Sequence, residues 1–365
     1  MKENNITISL VGDIFPANLP YNRGFGVAAM FERKQYKRLF SNKLRNIFAN
    51  SDIVFGNLES PIISPEQFHI DMQFAGHPSF VEMLKTAGVS IVTIANNHIL
   101  EQGKAGFQST LKYLANNNLP FVGVENGNDK VSNYEIIEYN SIKMGFVAYN
   151  EIDTFRHIEG TYATYKKEKV LISIKELKEQ KVDYIFVSLH WGDEYIHRPS
   201  LKQIEDAHLF IDAGANFIIG SHPHVIQPIE HYNNGLIIYS LGNFLFDMRY
   251  SMPVRTGLIV DILLDKNKYT FKSRYIKINK DFLPEQTKLP AKLDNILRQQ
   301  TKIFEYALTD FVFYQSNYKK DAKLMRLKNR LLFKFVLFKN WFRYSKQVRR
   351  DFMSLYFKKI KNKLT

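Results

Sequence analysis

The chain has 365 residues, 45% hydrophobic and 14% aromatic, which supports one large core plus an appendage and excludes a disordered chain. It has no cysteine, so disulfides, thiolate ligands and a cysteine nucleophile are excluded and any metal must be held by nitrogen and oxygen. The net charge of +14 sits at one end: residues 318–365 hold 16 of the 50 Lys and Arg and 2 of the 36 Asp and Glu, which leaves the body neutral with 34 of each sign.

In chain order, the N-terminus MKENNITISLVGD runs from a polar start into a short apolar strand and lacks the charged region, long apolar stretch and cleavage site of a signal peptide. No apolar run approaches the roughly 18 residues of a spanning helix. The expectation is a chain that stays in the cytoplasm. Short apolar, β-branched runs at 6–11, 52–55, 89–95, 182–189 and 216–220 read as strands, and helical periodicity falls between them at 35–49, 79–87, 104–117, 168–180 and 200–213. This alternation is the pattern of a layered α/β fold. Residues 134–149 read as a hairpin turning at Asn140-Ser141. A second strand-rich stretch, 225–277, contains the turn Asn233-Asn234-Gly235 and a later strand pair, and the second sheet of a sandwich would account for both. From about 290 the sequence becomes helical and basic, which puts a boundary where Pro284 and Pro290 interrupt the pattern. The expected division is a main domain of residues 1–285 and an extension of residues 286–365.

Five of the apolar runs end in polar residues suited to ligation: Gly12-Asp13, Asn57-Leu58-Glu59, Asn96-Asn97-His98, His190-Trp191-Gly192 and His222-Pro223-His224. In α/β sheets ligands bind beyond the carboxyl ends of the strands, so these segments can build one site from distant parts of the chain. Carboxylate, carboxamide and imidazole ligands suit one or two divalent ions such as Mn, Zn or Fe, and a carboxylate between two ions can bridge them. Such a pair would clamp a phosphate and acidify water while a histidine protonates the leaving oxygen.

The strings GNLESPI, ANNHILEQG, SLHWGDEY, IGSHPHVIQPIE and YSLGNFLFD, in this order, resemble the CapA family of capsule and poly-γ-glutamate synthesis proteins, which is related to calcineurin-like metallophosphoesterases. The resemblance covers roughly residues 6–250 and implies a four-layer α/β/β/α metallophosphoesterase-like sandwich. It implies further that Asp13 binds a first metal, that Glu59 bridges two, that Asn97, His190 and His222 serve the second, and that His224 completes the first. His98 matches the position of the family's general acid. In the wider phosphoesterase pattern the first motif is Asp-x-His, whereas Asp13-Ile14-Phe15 carries phenylalanine in the histidine's place. Asp193, Glu194, Asn243 and Asp247 either substitute for a ligand, touch substrate or hydrogen-bond the ligands, and Asn57 and Asn96 belong with them. His69, His77, His157, His197, His208 and His231 fit no motif and read as ordinary surface or core residues. The implied function is handling of a capsule polymer, either by hydrolysis of its phosphorylated or lipid-linked precursor or as a non-hydrolytic subunit alongside other capsule-synthesis proteins.

In the basic tail Leu324, Leu327, Leu331, Phe335, Phe338, Trp341, Phe342 and Phe352 recur at spacings of three or four, with Lys and Arg between them. This suits an amphipathic helix on an anionic membrane surface, on the inner face, or a helical lid on the body or on a partner. No nucleic-acid motif accompanies the charge, so a nucleic-acid partner ranks last.

Overall fold

The first apolar run becomes β1 (Ile6–Ile14), whose odd and even residues serve opposite faces of a sheet. The structure is a computed structural model that describes residues 5–32, 39–69, 71–126, 131–152, 157–266, 268–307 and 309–354. After a four-residue helix α1 (Ala29–Glu32) come α2 (Asn42–Ala49), β2 (Ile53–Leu58), α3 (Ser79–Ala87), β3 (Ile91–Thr93), α4 (Gly103–Asn116), β4 (Phe121–Val122), and a small ribbon of β5 (Glu125–Asn126) with β6 (Val131–Ser132). The expected hairpin follows as β7 (Tyr134–Tyr139) and β8 (Ile142–Asn150). Its two turn residues, Asn140 and Ser141, both take left-handed backbone, with φ of 49° and 62°, as a two-residue turn matched to strand twist requires. Next are α5 (Lys167–Glu179), β9 (Tyr184–His190), α6 (Leu201–Ala213), β10 (Phe217–Ser221), β11 (Ile229–Tyr232), β12 (Gly235–Ile238), β13 (Asn243–Leu245), β14 (Thr256–Leu264), β15 (Tyr269–Ile278) and β16 (Pro284–Thr287), then α7 (Ala291–Glu305) and α8 (Phe311–Lys339). The expected helix over 35–49 is present from Asn42 on, and residues 33–38 lie outside the described residues.

Two sheets face each other. The first has the order β16-β15-β14-β1-β2-β3-β4, with β13 also paired to β1, and the second has the order β11-β12-β10-β9-β8-β7. In the second sheet Phe146, Phe186 and Phe217 lie side by side in register and stack with centroid separations of 4.7 and 4.5 Å. They meet Ile8, Leu10, Phe55 and Val260 of the first sheet in the inter-sheet core. Their neighbours Val147, Val187 and Ile218 point the other way, into the core shared with Ile174 and Leu177 of α5 and Phe210 of α6. On the outer face of the first sheet, Phe48, Leu84 and Leu114 of α2, α3 and α4 cover Val54 and Val92. The result is the expected four-layer α/β/β/α sandwich. Truncating one of the stacked phenylalanines to Ala would cost about 3–5 kcal/mol.

One expectation is corrected. The pair β14 and β15 does not extend the second sheet: β14 runs antiparallel to β1, from Ile6 opposite Leu264 to Val11 opposite Ile259, so it completes the first. Ser9, which donates to Asp261 Oδ1 at 2.5 Å, belongs to this pairing. The boundary at residue 285 falls inside β16, which is an antiparallel partner of β15, because a proline at the first position of an edge strand forfeits no ladder bond. Beyond it the extension packs onto the body. Leu293 and Tyr314 are fully buried, Phe304 meets Tyr239 edge-on at 5.7 Å, and Tyr314 donates to the Pro199 carbonyl at 2.6 Å. Among the described residues no helix is long and apolar enough to cross a membrane.

Candidate metal centre

The residues singled out from the sequence converge where β1, β2, β3, β9 and β10 end, so the site spans both sheets. In β1 the pairing with β2 shifts register between Leu10 and Asp13, and such an irregularity re-aims a side chain. Gly12 permits this: a Cβ there would stand 1.8 Å from the Gly242 carbonyl oxygen, the group to which the Asp13 amide donates at 3.0 Å. Asp13 thereby lies between Asn57 on one neighbouring strand and Asn243 on the other.

One carboxamide organises the ligand atoms. Asn57 Nδ2 lies 2.8 Å from Asp13 Oδ1, 3.2 Å from Glu59 Oε2 and 3.3 Å from His190 Nδ1. Asn96 holds that carboxamide, donating to Asn57 Oδ1 at 3.1 Å and to the Leu58 carbonyl at 2.8 Å, while its own Oδ1 accepts from the His98 amide at 3.2 Å. His190 is further fixed by Ser221 Oγ at 3.0 Å on Nδ1 and Asn97 Oδ1 at 2.8 Å on Nε2. His224 Nδ1 lies 2.9 Å from Asn243 Oδ1 and 3.4 Å from Asp13 Oδ2. Both His222 and His224 sit in left-handed backbone, φ 93° and 56°, a strained conformation that recurs at functional sites. The His222 amide turns inward to Asp13 Oδ2 at 3.3 Å.

At the centre is Glu59 Oε1. It lies 3.9 Å from His98 Nε2, 4.0 Å from His190 Nε2 and 3.8 Å from His224 Nε2, beyond hydrogen-bonding reach of each. Glu59 Oε1 and His222 Nδ1 are buried side-chain atoms without a hydrogen-bond partner, although buried polar atoms are nearly always paired. Burial, then the charge and hydrogen bond of Asp13 and the charge of Glu194, push the Glu59 carboxyl well above its ordinary range. Burial, then the neighbouring imidazoles, push His190 and His222 well below theirs. For His224 burial opposes protonation, but the hydrogen bond and charge of Asp13 outweigh it and the net shift is upward. Neutral imidazoles, crowded carboxylates and an unpaired central oxygen form the donor set that a divalent cation satisfies. The residues fit such an ion. Asp13, Glu59 and His190 form one group, and Glu194, His222 and His224 another, with one ligand atom of each residue within 4.8 Å of the others in its group.

This grouping resolves several alternatives. Glu194 faces the cluster, whereas Asp193 turns away to accept from Tyr318 Oη at 3.0 Å and to pair with Arg326 at 3.5 Å, both on α8. His222 groups with His224 and Glu194, although its ring also stands 4.8 Å from that of His190. Asn243 bonds His224 and donates to the Val254 carbonyl at 2.9 Å. Asp247 is fully buried but serves the loop after β1, accepting from the Leu19 amide at 2.7 Å. Phe15, where the wider pattern has histidine, stacks on Phe246 at 4.6 Å and meets Phe74 edge-on at 5.8 Å. Phe74 in turn lies flat against His98 at 4.5 Å.

His98 Nδ1 lies 3.1 Å from Glu101 Oε1, an arrangement in which a carboxylate fixes the ring's orientation. Sequence reasoning missed Glu101 and Ser221. Glu101 was within sight, three residues after His98 in the same quoted string, and Ser221 pairs in register with His190 across two strands. The histidines set aside fall elsewhere: His197 donates to the Ile226 carbonyl at 3.0 Å, His208 contacts Glu230 at 3.0 Å, and His157 contacts Glu125 at 3.5 Å.

The family described as bacterial capsule synthesis protein PGA_cap matches residues 7–248, a span that contains every residue of this cluster. The chain belongs to that family. Among similar proteins, the capsule biosynthesis protein CapA of Bacillus anthracis is 29% identical over 71% of this chain and 64% of its own length. The PGA biosynthesis protein CapA of Bacillus subtilis is 29% identical over 82% of this chain and 77% of its own. The chain thus spans just under two thirds of the first relative. The calcineurin-like phosphoesterase YfkN of Bacillus subtilis aligns with a TM-score of 0.46 at 16% identity over 82% of this chain and 97% of that one.

Proposed function

We propose that this capsule-synthesis family member is a metal-dependent phosphoester hydrolase acting on a phosphorylated or lipid-linked intermediate of a capsule polymer, poly-γ-glutamate or a polysaccharide. The observation that carries the reading is Glu59 Oε1, buried, unpaired and surrounded by three imidazole nitrogens at 3.8 to 4.0 Å. By the family resemblance Glu59 would be shared between two ions, with Asp13 and His224 at one and Asn97, His190 and His222 at the other. The ligand atoms themselves gather as Asp13, Glu59 and His190 on one side and His222, His224 and Glu194 on the other, so Glu194 would supply a ligand where the first motif has Phe15. When bound, divalent Mn, Zn or Fe supplies charge neutralisation and Lewis-acid polarisation of the phosphoester. The chain's own contribution is to orient the ligands through Asn57 and Asn96, and to place the His98 ring, braced by Glu101 and Phe74, with Nε2 toward the cluster. In the step so assigned, the oxygen of water bonds to phosphorus, the ester P–O bond breaks, His98 delivers its proton to the leaving oxygen, and a proton of the water restores the ring.

The names of the two Bacillus relatives support a capsule role, with other capsule-synthesis proteins as partners. One observation favours a second reading, in which the protein binds a polymer intermediate without hydrolysing it as a subunit of a synthesis or export complex: Phe15 removes a ligand type from the first motif. Metal analysis of the purified full chain, with turnover of generic phosphomonoesters and phosphodiesters in added Mn, separates the two. Hydrolysis that falls in Asn97→Ala and His98→Ala supports the enzyme. Bound metal without turnover supports the second reading, and no bound metal with rates unchanged in Asn97→Ala and His98→Ala overturns the enzyme.

A further inference from the structure

Helix α8 has two apolar faces. One is consumed by the body: Tyr314, Tyr318 and Ala322 are buried, Phe333 meets Tyr21 edge-on at 5.5 Å, and Asn340 just beyond it donates to the Tyr21 carbonyl at 3.1 Å. The other is open. Leu324, Leu327, Leu331, Phe335 and Phe338, with Phe342 just past the helix end, are 57 to 87% exposed, and their spacing keeps the five helical residues on one stripe. Soluble surfaces rarely carry so continuous an apolar row without a partner.

The charges of this helix and the segment after it are sorted by face. Residues 318–365 contain two acidic residues, and both turn inward, Asp321 to Arg198 at 2.8 Å and Asp351 to Arg23 at 2.8 Å. Lys320, Lys323, Lys328, Arg330, Lys334 and Lys339 are exposed beside the apolar stripe. A second copy of the chain docked along the stripe would bring two rows of like charge together, which costs free energy. An anionic bilayer meets both requirements, since it accepts large apolar side chains below its headgroups and attracts Lys and Arg to its surface.

We infer that the outer face of α8 docks the protein on an anionic membrane surface, with Leu327, Leu331, Phe335 and Phe338 entering the headgroup region and the flanking lysines and arginines meeting lipid phosphates. The body-facing side holds the helix in place while the outer side binds, so docking needs no unfolding of the extension. The same helix reaches the cluster from its inner side, because Tyr318 and Arg326 hold Asp193, the residue before Glu194.

Flotation of the full chain with vesicles containing phosphatidylglycerol, against vesicles of phosphatidylcholine alone, tests this. The expected result is association with the anionic vesicles that weakens about tenfold or more when NaCl is raised from low to high concentration. The triple variant Leu327→Gln, Leu331→Gln, Phe335→Gln should lose about tenfold or more of that binding while keeping the wild-type melting temperature, since none of the three supports the body. Sedimentation of both proteins in the absence of lipid reads the competing occupant. A dimer that the triple variant dissolves would overturn the inference in favour of self-association. Equal flotation with both vesicle types, or equal flotation of wild type and variant, would overturn it outright.

Discussion

The cluster around Glu59 and the outer face of α8 invert the ordinary rule of burial in opposite directions. At the cluster, carboxylates, imidazoles and carboxamides are taken out of water; on α8, leucines and phenylalanines are left in it. The inter-sheet core obeys the rule, with Phe146, Phe186 and Phe217 closing it. Sequences that break a local pattern without compensation lose stability, so such departures persist where something outside the chain completes them. On the two proposals made above, a cation would complete the cluster and a membrane surface the helix. The two regions also differ in how they are held: Asn57 fixes the cluster through contacts of 2.8 to 3.3 Å, whereas α8 is fixed only along its inner side.

Substitutions can break this contrast, and the largest effect is expected at the cluster. His98→Ala should lower the rate of phosphoester hydrolysis about 10²- to 10⁴-fold while leaving metal content unchanged, because the proposed role is proton donor to the leaving oxygen and not metal ligand. Steady-state rates with metal analysis on the same sample check it, and loss of metal together with rate would move His98 into the ligand set.

A buried histidine outside the cluster shows what burial alone does. His197 is held down to about 4 by burial, partly offset by its bond to the Ile226 carbonyl. Its folded value therefore lies below the unfolded value of about 6.5. As pH falls below that value the unfolded chain takes up a proton that the folded chain refuses, so stability is lost between about 6.5 and 4, by on the order of 3 kcal/mol. Denaturant melts across that window should show a shallower loss for His197→Gln than for wild type. Equal slopes would mean His197 does not contribute.

On the helix, the inner side should be sensitive and the outer side indifferent. Arg198 is 1% exposed and lies against Tyr314 and Tyr318, with Asp321 as its ion-pair partner. Asp321→Asn should destabilise by about 2 kcal/mol, less than the 3 to 5 typical of a fully buried pair because the Asp321 side chain is 40% exposed. Leu331→Gln should change stability by no more than about 0.5 kcal/mol. Chemical denaturation of both variants checks the pair. A large loss in Leu331→Gln would place the outer stripe in the fold and not at an interface.

Much of this was legible in the sequence because strands and helices are written locally. Periodicity marked β9 and α6, and Asn140-Ser141 announced its turn. The ordered polar strand ends marked residues that the fold brings together around Glu59. What was not legible depends on neighbours distant in sequence. Nothing in GLIVDILLD says that β14 pairs with β1 and not with the second sheet. Asp193 and Glu194 are adjacent and chemically alike, yet Gly192 and Tyr195 on either side take left-handed backbone, φ 83° and 68°, and one carboxylate reaches the cluster while the other reaches α8. In the same way, periodicity predicted an apolar stripe on α8 but could not show that Asp321 and Asp351 both turn inward.

The central claim is that the buried polar cluster is a metal site, and metal content with thermal stability of the purified chain, wild type beside Glu59→Gln, tests it most directly. The account predicts one or two equivalents of divalent metal in the wild type, a melting temperature that rises with added Mn as binding to the folded state requires, and loss of both in the variant. A wild type that holds no metal and melts at the same temperature with and without Mn would contradict it.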